Sequence, residues 1–403
     1  MHHETVNARG HLLDARLLKR IFEHVVENGA SYEVLRFDLG RTADDVSEVA
    51  LRISADTDEA LDNAVASVVA LGGVIEKETD ARLEPAPRDS CVPDDFYSTT
   101  NHRTQIRREG DWVDVALQRM DAVVVVEKGA PRCVKLRDIK TGDPVVCGSE
   151  GVRIQLEHPD RERESFAFMS NEISSERKVE TSIERVIKMM RAVRERGERV
   201  VVVAGPVVIH TGGIEPFAHL VRSGWVDALL SGNALAVHDI ENSFFGTSLG
   251  VSLETGKPVI EGHKNHMRAI NRINHAGSIA DAVKSGVLKN GIMHALVESK
   301  VNFVLAGSIR DDGPLPDTLM DLIEAQEAYA KELEGAGLVL MLSTMLHSIG
   351  VGNMLPSWVK VVCVDINPAV VTKLSDRGSS QTIGIVTDVG LFLQRLSEEL
   401  TES

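Results

Sequence analysis

The chain has 403 residues, 43% of them apolar, and a formal charge of −16. At roughly 100 to 200 residues per domain this length predicts two or three domains, and the negative charge disfavours nucleic acid and anionic membranes as partners. The N-terminal MHHETVNARGHLLDARLLKR has no apolar signal-peptide core, and no later run approaches the roughly 20 apolar residues of a membrane span, so a cytoplasmic protein is expected.

Residues 12–27 place Leu13, Leu17, Ile21 and Val25 along one helical face, which predicts an amphipathic helix. YEVLRFDLG and SEVALRISA alternate apolar and polar residues like strands, and DEALDNAVASVVALGG reads as a second helix ending at glycine. Residues 1–78 are therefore expected to form a ferredoxin-like α+β domain. The charged, proline-containing stretch 76–90 reads as a linker or an exposed strand and loop. A β-rich module follows over 88–155, with DAVVVVEK, CVKLRDI and DPVVCGSEGVRI alternating with turns.

One long charged helix is expected over SSERKVETSIERVIKMMRAVRERGE, opening an α/β domain over 175–403. Short apolar runs then alternate with helical stretches from about Val200 to the end: VVVVAGP, DALLSG, NFVLAG, LVLMLS, VKVVCVDI and QTIGIVTDV. Such runs predict a parallel, Rossmann-like sheet covered on both faces, with ligands outside the carboxyl ends of its strands. Fold class is thus α/β, with a smaller α+β and β-rich N-terminal region.

Most of these strands end in small or polar residues, at Ala204-Gly205-Pro206, Ser231-Gly232-Asn233-Ala234, Ala306-Gly307-Ser308, Ser343-Thr344-Met345, Asp365-Ile366-Asn367 and Thr387-Asp388. Small side chains let a ligand approach the backbone, and amides at a following helix start can hold a pyrophosphate; equally, small residues make tight turns. Asp365 can accept both hydroxyls of a ribose or cap the next helix. Gly350-Val351-Gly352 lacks the third glycine of GxGxxG, so any dinucleotide site here is a variant.

In AGSIRDDGPLPDT, Asp311 and Asp312 can hold an ammonium group or act as a general base, or simply form an exposed turn. His263 and Lys264 in EGHKNH follow the apparent strand KPVIEG and are candidates for proton transfer near neutral pH. Asn101, Arg103 and Arg107 in FYSTTNHRTQIR suit a substrate carboxylate, which arginine grips bidentately. Cys91, Cys133, Cys147 and Cys363 form no CxxC pair, so no metal site is encoded locally.

FYSTTNHRTQIR, AGPVVIHTGG, LLSGNALAVHDIE, LAGSIRDDGPLPD, STMLHSIGVGNMLP and VDINPAVVTKLSDRGSSQTIGIVTDVG together resemble the archaeal-type ornithine cyclodeaminase family. That family is also labelled the conserved region of the lysine-ketoglutarate reductase/saccharopine dehydrogenase bifunctional enzyme, and it forms the C-terminal part of cyanobacterial arginine-catabolising enzymes. The resemblance implies a deoxyhypusine-synthase-like NAD-binding domain with NAD retained as a catalytic cofactor. Carried onto matching motifs, its contacts would come from Asn233, Ala234, Asp312, Thr344, Met345, Leu346, His347, Asp365, Asp388 and Val389.

The implied reaction turns L-ornithine into L-proline and ammonia by internal hydride transfer, with Asp311, Lys264 and His263 as catalytic candidates and Asn101, Arg103 and Arg107 holding the amino-acid substrate. A homo-oligomer is expected. Two rival readings remain: an aminobutyl transferase like deoxyhypusine synthase, and an NAD-binding sensor that turns nothing over. The arginine-hydrolysing domain is not recognisable in this sequence.

Overall fold

The computed structural model describes residues 2–10, 17–39, 47–75, 79–155, 175–259, 262–311, 313–377 and 382–401. It divides into two compact units, Met1–Ser165 with Leu355–Trp358, and Phe166–Met354 with Val359–Ser403.

In the first unit, β1 (His2–Gly10), α1 (Leu17–Glu27), β2 (Ser31–Asp38), β3 (Ser47–Ala55), α2 (Asp58–Ala70) and β4 (Gly73–Ile75) build a four-stranded antiparallel sheet ordered β2-β3-β1-β4. The β-α-β-β-α-β sequence with this order is the split arrangement of ferredoxin-like folds. Alternation on β3 sends Val49, Leu51 and Ile53 inward, where they pack with Ile21, Val25, Val65 and Val68 of the two helices. Thr57 caps α2 by accepting the Ala60 amide at 3.2 Å. β1 lies at the centre of the sheet, although its sequence HHETVNARG carries only Val6 and Ala8 as buried apolar residues.

The same unit holds β5 (Arg82–Pro85), β6 (Arg103–Arg108), β7 (Asp111–Asp114), β8 (Val123–Glu127), β9 (Ala130–Val134), β10 (Pro144–Cys147) and β11 (Val152–Gln155). They form two small antiparallel sheets ordered β5-β10-β8-β9 and β11-β6-β7. The stretch 76–90 thus contributes a paired strand, and CVKLRDI continues past β9 into a single helical turn at Leu136–Asp138.

The second unit runs α3 (Ser175–Glu195), β12 (Arg199–Ala204), α4 (Val207–His210), α5 (Ile214–Arg222), β13 (Ala228–Gly232), α6 (Asn233–Phe245), β14 (Thr247–Ser248), β15 (Val251–Ser252), α7 (Asn265–Ala276), α8 (Ile279–Lys284) and α9 (Ile292–Glu298). It continues with β16 (Asn302–Ala306), β17 (Thr318–Leu319), α10 (Leu322–Glu332), β18 (Ala336–Leu342), α11 (Met345–Gly352), β19 (Lys360–Asp365), α12 (Pro368–Arg377), β20 (Thr382–Val386) and α13 (Val389–Thr401). Seven parallel strands lie in the order β17-β16-β13-β12-β18-β19-β20.

Apart from the two-residue β17, that order is the 3-2-1-4-5-6 of the doubly wound Rossmann fold. All seven residues of β18 are buried, as are Val200–Ala204 of β12, because helices cover both faces of the sheet. Chain order reverses direction between β12 and β18, so the crevice of the fold opens at Ala204 and Leu342.

Three sequence expectations differ from the structure. KPVIEG is not a strand over its described residues: Pro258 makes one isolated bridge to Val251, its ring nitrogen having no proton to donate to a ladder. Gly350 and Gly352 lie inside α11 rather than in the strand-to-helix turn, so they form no glycine-rich loop. The third difference is that 175–403 is interrupted. Leu355–Trp358 belongs to the first unit, where the Ser357 amide donates to the Asn101 carbonyl at 2.8 Å and Arg103 lies over the Trp358 ring at 4.3 Å.

Candidate active site

At the reversal point two turns meet. The Gly205 amide donates to the Leu342 carbonyl at 2.9 Å, and a Cβ on Gly205 would come within 2.4 Å of the Ser343 carbonyl oxygen, so only glycine fits. Ser343 takes a left-handed φ of 48°, turning the chain sharply from β18 into α11.

Helices α6 and α11 both start at this carboxyl edge, and neither N-terminus has a side-chain cap. Thr344 is the residue placed to cap α11, but its hydroxyl bonds Nδ1 of His347 at 3.0 Å instead. By contrast α2, α8 and α10 are capped by Thr57, Ser278 and Asp321. Uncapped first-turn amides carry the positive end of a helix dipole and suit a phosphate.

The floor of the crevice is polar and hydrogen-bonded. Ser231 donates to the Ala204 carbonyl at 2.6 Å, and the Tyr329 hydroxyl donates to the Ser231 carbonyl at 2.6 Å. His347 reaches from α11 toward the end of β13, with its Cε1 3.0 Å from where a Gly232 Cβ would stand. Burial lowers the proton affinity of His347, which favours its neutral ring. Exposed apolar side chains rim this edge at Val207, Ile309, Leu346, Ile366 and Val386.

Asp365 ends β19 and is nearly buried. Its Oδ1 accepts the Asn367 amide at 2.8 Å, while α12 is entered through Asn367, whose Oδ1 accepts the Ala369 amide at 3.0 Å. Asp365 therefore shapes the turn without being the helix cap, and among the described residues its second oxygen makes no hydrogen bond. Asp388 does cap a helix, accepting the Leu391 amide of α13 at 2.9 Å, and the Val389 side chain is buried. Asn233, at the start of α6, uses Oδ1 to hold the Leu315 amide at 3.0 Å and the Thr318 hydroxyl at 2.9 Å. It pins the 308–318 loop to the crevice, with Ala234 half-buried beside it.

The structure thus brings Asn233, Ala234, Thr344, Met345, Leu346 and His347 to one edge, with Asp365, Asp388 and Val389 at the ends of the next two strands. Asp311 sits in the pinned loop and accepts the Ser308 amide at 2.8 Å, so its carboxylate also closes its own turn. Asp312 and the His263 side chain lie outside the described residues. Lys264 is half-buried in the turn that leads into α7. Asn101, Arg103 and Arg107 belong to the first unit. Arg103 and Arg107 alternate on β6 with the buried Thr104 and Ile106, which sends both to the outer face of the sheet.

A second polar cluster escaped sequence reasoning. Glu241, fully buried on α6, accepts the Thr247 hydroxyl at 2.8 Å, the Gly250 amide at 2.9 Å and the Leu249 amide at 2.9 Å. One turn earlier, His238 bonds the Ser248 hydroxyl through Nδ1 at 3.0 Å, and its ring centroid lies 5.2 Å from that of His210 at the end of α4. Burial, with the neighbouring His210 and His266, pushes His238 down to about 4, so it stays neutral. Burial also lowers His210, which the Glu241 carboxylate partly offsets. The available signal was the spacing of His238 and Glu241, three apart and therefore on one helical face.

Three of the four cysteines, Cys133, Cys147 and Cys363, are buried, and Cys91 is half-buried. All four are free, and burial raises Cys133, Cys147 and Cys363, the last to about 12. Glu84, Asp95 and Cys147 place ligand atoms within 4.8 Å of one another, but Arg82 pairs with both carboxylates and satisfies them.

Three family models match. Residues 184–396 fit the arginine dihydrolase ArgZ-like C-terminal Rossmann fold, 103–183 the first region of that C-terminal part, and 3–102 the LOR/SDH bifunctional enzyme conserved region. The chain is 49% identical to the ornithine cyclodeaminase of Methanocaldococcus jannaschii, over 98% of this chain and 95% of that protein. It belongs to the archaeal-type ornithine cyclodeaminase family.

Within this family it is also 50% identical to the bifunctional arginine dihydrolase/ornithine cyclodeaminase AgrE of Nostoc, over 98% of this chain but 58% of that protein. The apo structure of ArgZ, a cyanobacterial arginine dihydrolase, matches with a TM-score of 0.88 at 44% identity, covering 100% of this chain and 58% of ArgZ. A ternary complex of AgrE with ornithine and NAD⁺ matches at 0.55 and 48% identity, with the same two coverages. The chain therefore spans little more than half of these cyanobacterial relatives. Among the described residues, no helix is long and apolar enough to cross a membrane.

Proposed function

We propose that this chain binds NAD along the carboxyl edge of the parallel sheet and uses it to convert L-ornithine to L-proline and ammonia. The observation that carries the reading is the combination, around one reversal point, of two uncapped helix N-termini with the Asp365 carboxylate on the next strand. The named activity of the full-length archaeal relatives and the ligands of the AgrE complex support the same reading.

The residues present fit a dinucleotide. Amides of Met345, Leu346 and His347 would take the pyrophosphate at the start of α11, with Asn233 and Ala234 at the start of α6 contributing beside them. Asp365 would accept the ribose hydroxyls, and the turn at Asp388 and Val389 would close the site over the last strand. Bound NAD would supply a hydride acceptor and return the hydride within one turnover, so that the overall conversion needs no other oxidant.

The remaining work falls to side chains of this chain. In the first unit, Arg103 and Arg107 are the candidates for a substrate carboxylate, which a guanidinium pairs with through two parallel hydrogen bonds. Asp311 and Asp312 would hold an ammonium group. His210, exposed at the end of α4 and backed by the neutral His238, would exchange protons with the amines, with Lys264 and His263 as the alternatives. Because His238 stays neutral, any positive charge taken up by the pair would sit on His210.

Incubation of the purified protein with L-ornithine and a catalytic amount of NAD⁺ tests this reading. Mass spectrometry is expected to find proline and ammonia in equal amounts, with deuterium from α-deuterated ornithine retained in the proline. Absence of product from a protein that binds NAD overturns the cyclodeaminase reading, and absence of NAD binding overturns the site itself.

A further inference from the structure

The edge strand β2 carries a pattern that the proposed chemistry does not use. Every residue of β2 is exposed, and among the described residues the strand pairs on one side with β3 and on the other with no strand. A free edge of this kind offers a row of backbone donors and acceptors to another strand, and natural sheets ordinarily blunt or cover it.

Its two faces differ. Tyr32, Val34 and Phe37 stand opposite Ile53, Leu51 and Val49, on the face that α1 and α2 cover farther in. They nevertheless remain 39%, 44% and 37% exposed. Phe22 of α1 stacks on Tyr32 with centroids 4.2 Å apart, and with the exposed Val26 it walls a groove of about 320 Å³. A bulge at Leu35 shifts the register between Val34 and Arg36. As a result Glu33 and Arg36, three apart, share the other face, where they pair with Arg52 at 2.8 Å and Glu48 at 2.7 Å.

This spacing complements itself. We propose that β2 is a dimer edge, at which two copies of the chain pair antiparallel about a twofold axis passing between Val34 and Leu35. That register sets Tyr32 against Phe37 of the partner subunit on the helix-covered face. On the other face it sets Glu33 against Arg36 of the partner subunit. Apolar side chains meet on one side and opposite charges on the other, and the symmetry requires each contact to occur twice. A foreign strand would match either the apolar row or the charge order by chance, whereas a second copy matches both. The inference is independent of the catalytic reading.

Native mass spectrometry and light scattering on the full chain test it. The wild type is expected as a dimer or an even multiple, and Val34→Lys combined with Leu35→Lys is expected to halve its mass while the circular dichroism spectrum stays unchanged. Tyr32→Cys combined with Phe37→Cys is expected to give a reducible dimer on a denaturing gel after oxidation, with neither single variant doing so. This cysteine pair keeps the test decisive if the lysines unfold the domain. A monomeric wild type, an unchanged mass in a folded lysine variant, or no cross-link in the cysteine pair overturns the proposal.

Discussion

Replacing Asp365 by alanine is expected to weaken NAD binding roughly 30- to 1,000-fold, because it removes about 2 to 4 kcal/mol of hydrogen bonding from a charged acceptor to ribose hydroxyls. The side chain is nearly buried at the end of β19, and among the described residues it is engaged through Oδ1 alone, by the Asn367 amide. Alanine also loosens that turn, so Asp365→Asn is the control: it keeps an acceptor for Asn367 and loses the charge. Isothermal titration with NAD⁺ reads both variants. If alanine binds as tightly as the wild type, Asp365 is only a turn residue, and the ribose lies elsewhere.

The same experiment separates two parts of the site that were unequally visible in the sequence. Asp365 was legible because VKVVCVDI is a short, wholly apolar run ending in a carboxylate, and burial on both faces of a parallel sheet leaves that signature. The starts of α6 and α11 were legible only as strand ends. Their helices follow without a capping side chain, and the missing cap is itself the feature that suits a phosphate. Gly350 and Gly352 drew attention as a loop motif, yet they are ordinary positions of α11, with open space around each.

Elsewhere the pattern failed for other reasons. β1 sits between β3 and β4, so its neighbours rather than its own weakly apolar residues hold it in place. The excursion of Leu355–Trp358 into the first unit depends on contacts with Asn101 and Arg103, more than 250 residues earlier in the chain, and no local periodicity encodes such a contact. His238 and Glu241 lie on a helix buried nearly all round, where charged residues look anomalous until Ser248, Thr247 and the amides of Leu249 and Gly250 are brought against them.

Two adjacent residues of that helix are expected to pull the stability of the second unit in opposite directions with pH. Asp239 is fully buried and clasps the start of α9, accepting the Ile292 amide at 2.9 Å and the Met293 amide at 2.8 Å. Burial pushes its carboxyl up to about 7 despite those two bonds. Between pH 4 and 7 the folded state therefore holds a proton that the unfolded state has lost, and stability falls as pH rises through that window. His238, pushed down to about 4, does the reverse: below its unfolded value of about 6.5 the unfolded state takes up a proton that the fold excludes, and stability is lost as pH falls toward 4. At about 1.4 kcal/mol for each tenfold change in proton affinity, the two contributions are roughly 4 and 3 kcal/mol, large enough to see in a denaturation midpoint and similar enough to mask each other in the wild type. Asp239→Asn is expected to leave a protein whose stability rises from pH 4 to 6.5 relative to wild type. His238→Gln is expected to leave one whose stability falls over the same range. Urea unfolding at several pH values measures the slopes, which a uniform loss of packing does not change. Parallel curves for wild type and both variants would show that neither group changes its protonation on folding, and that Asp239 clasps α9 as an ordinary carboxylate.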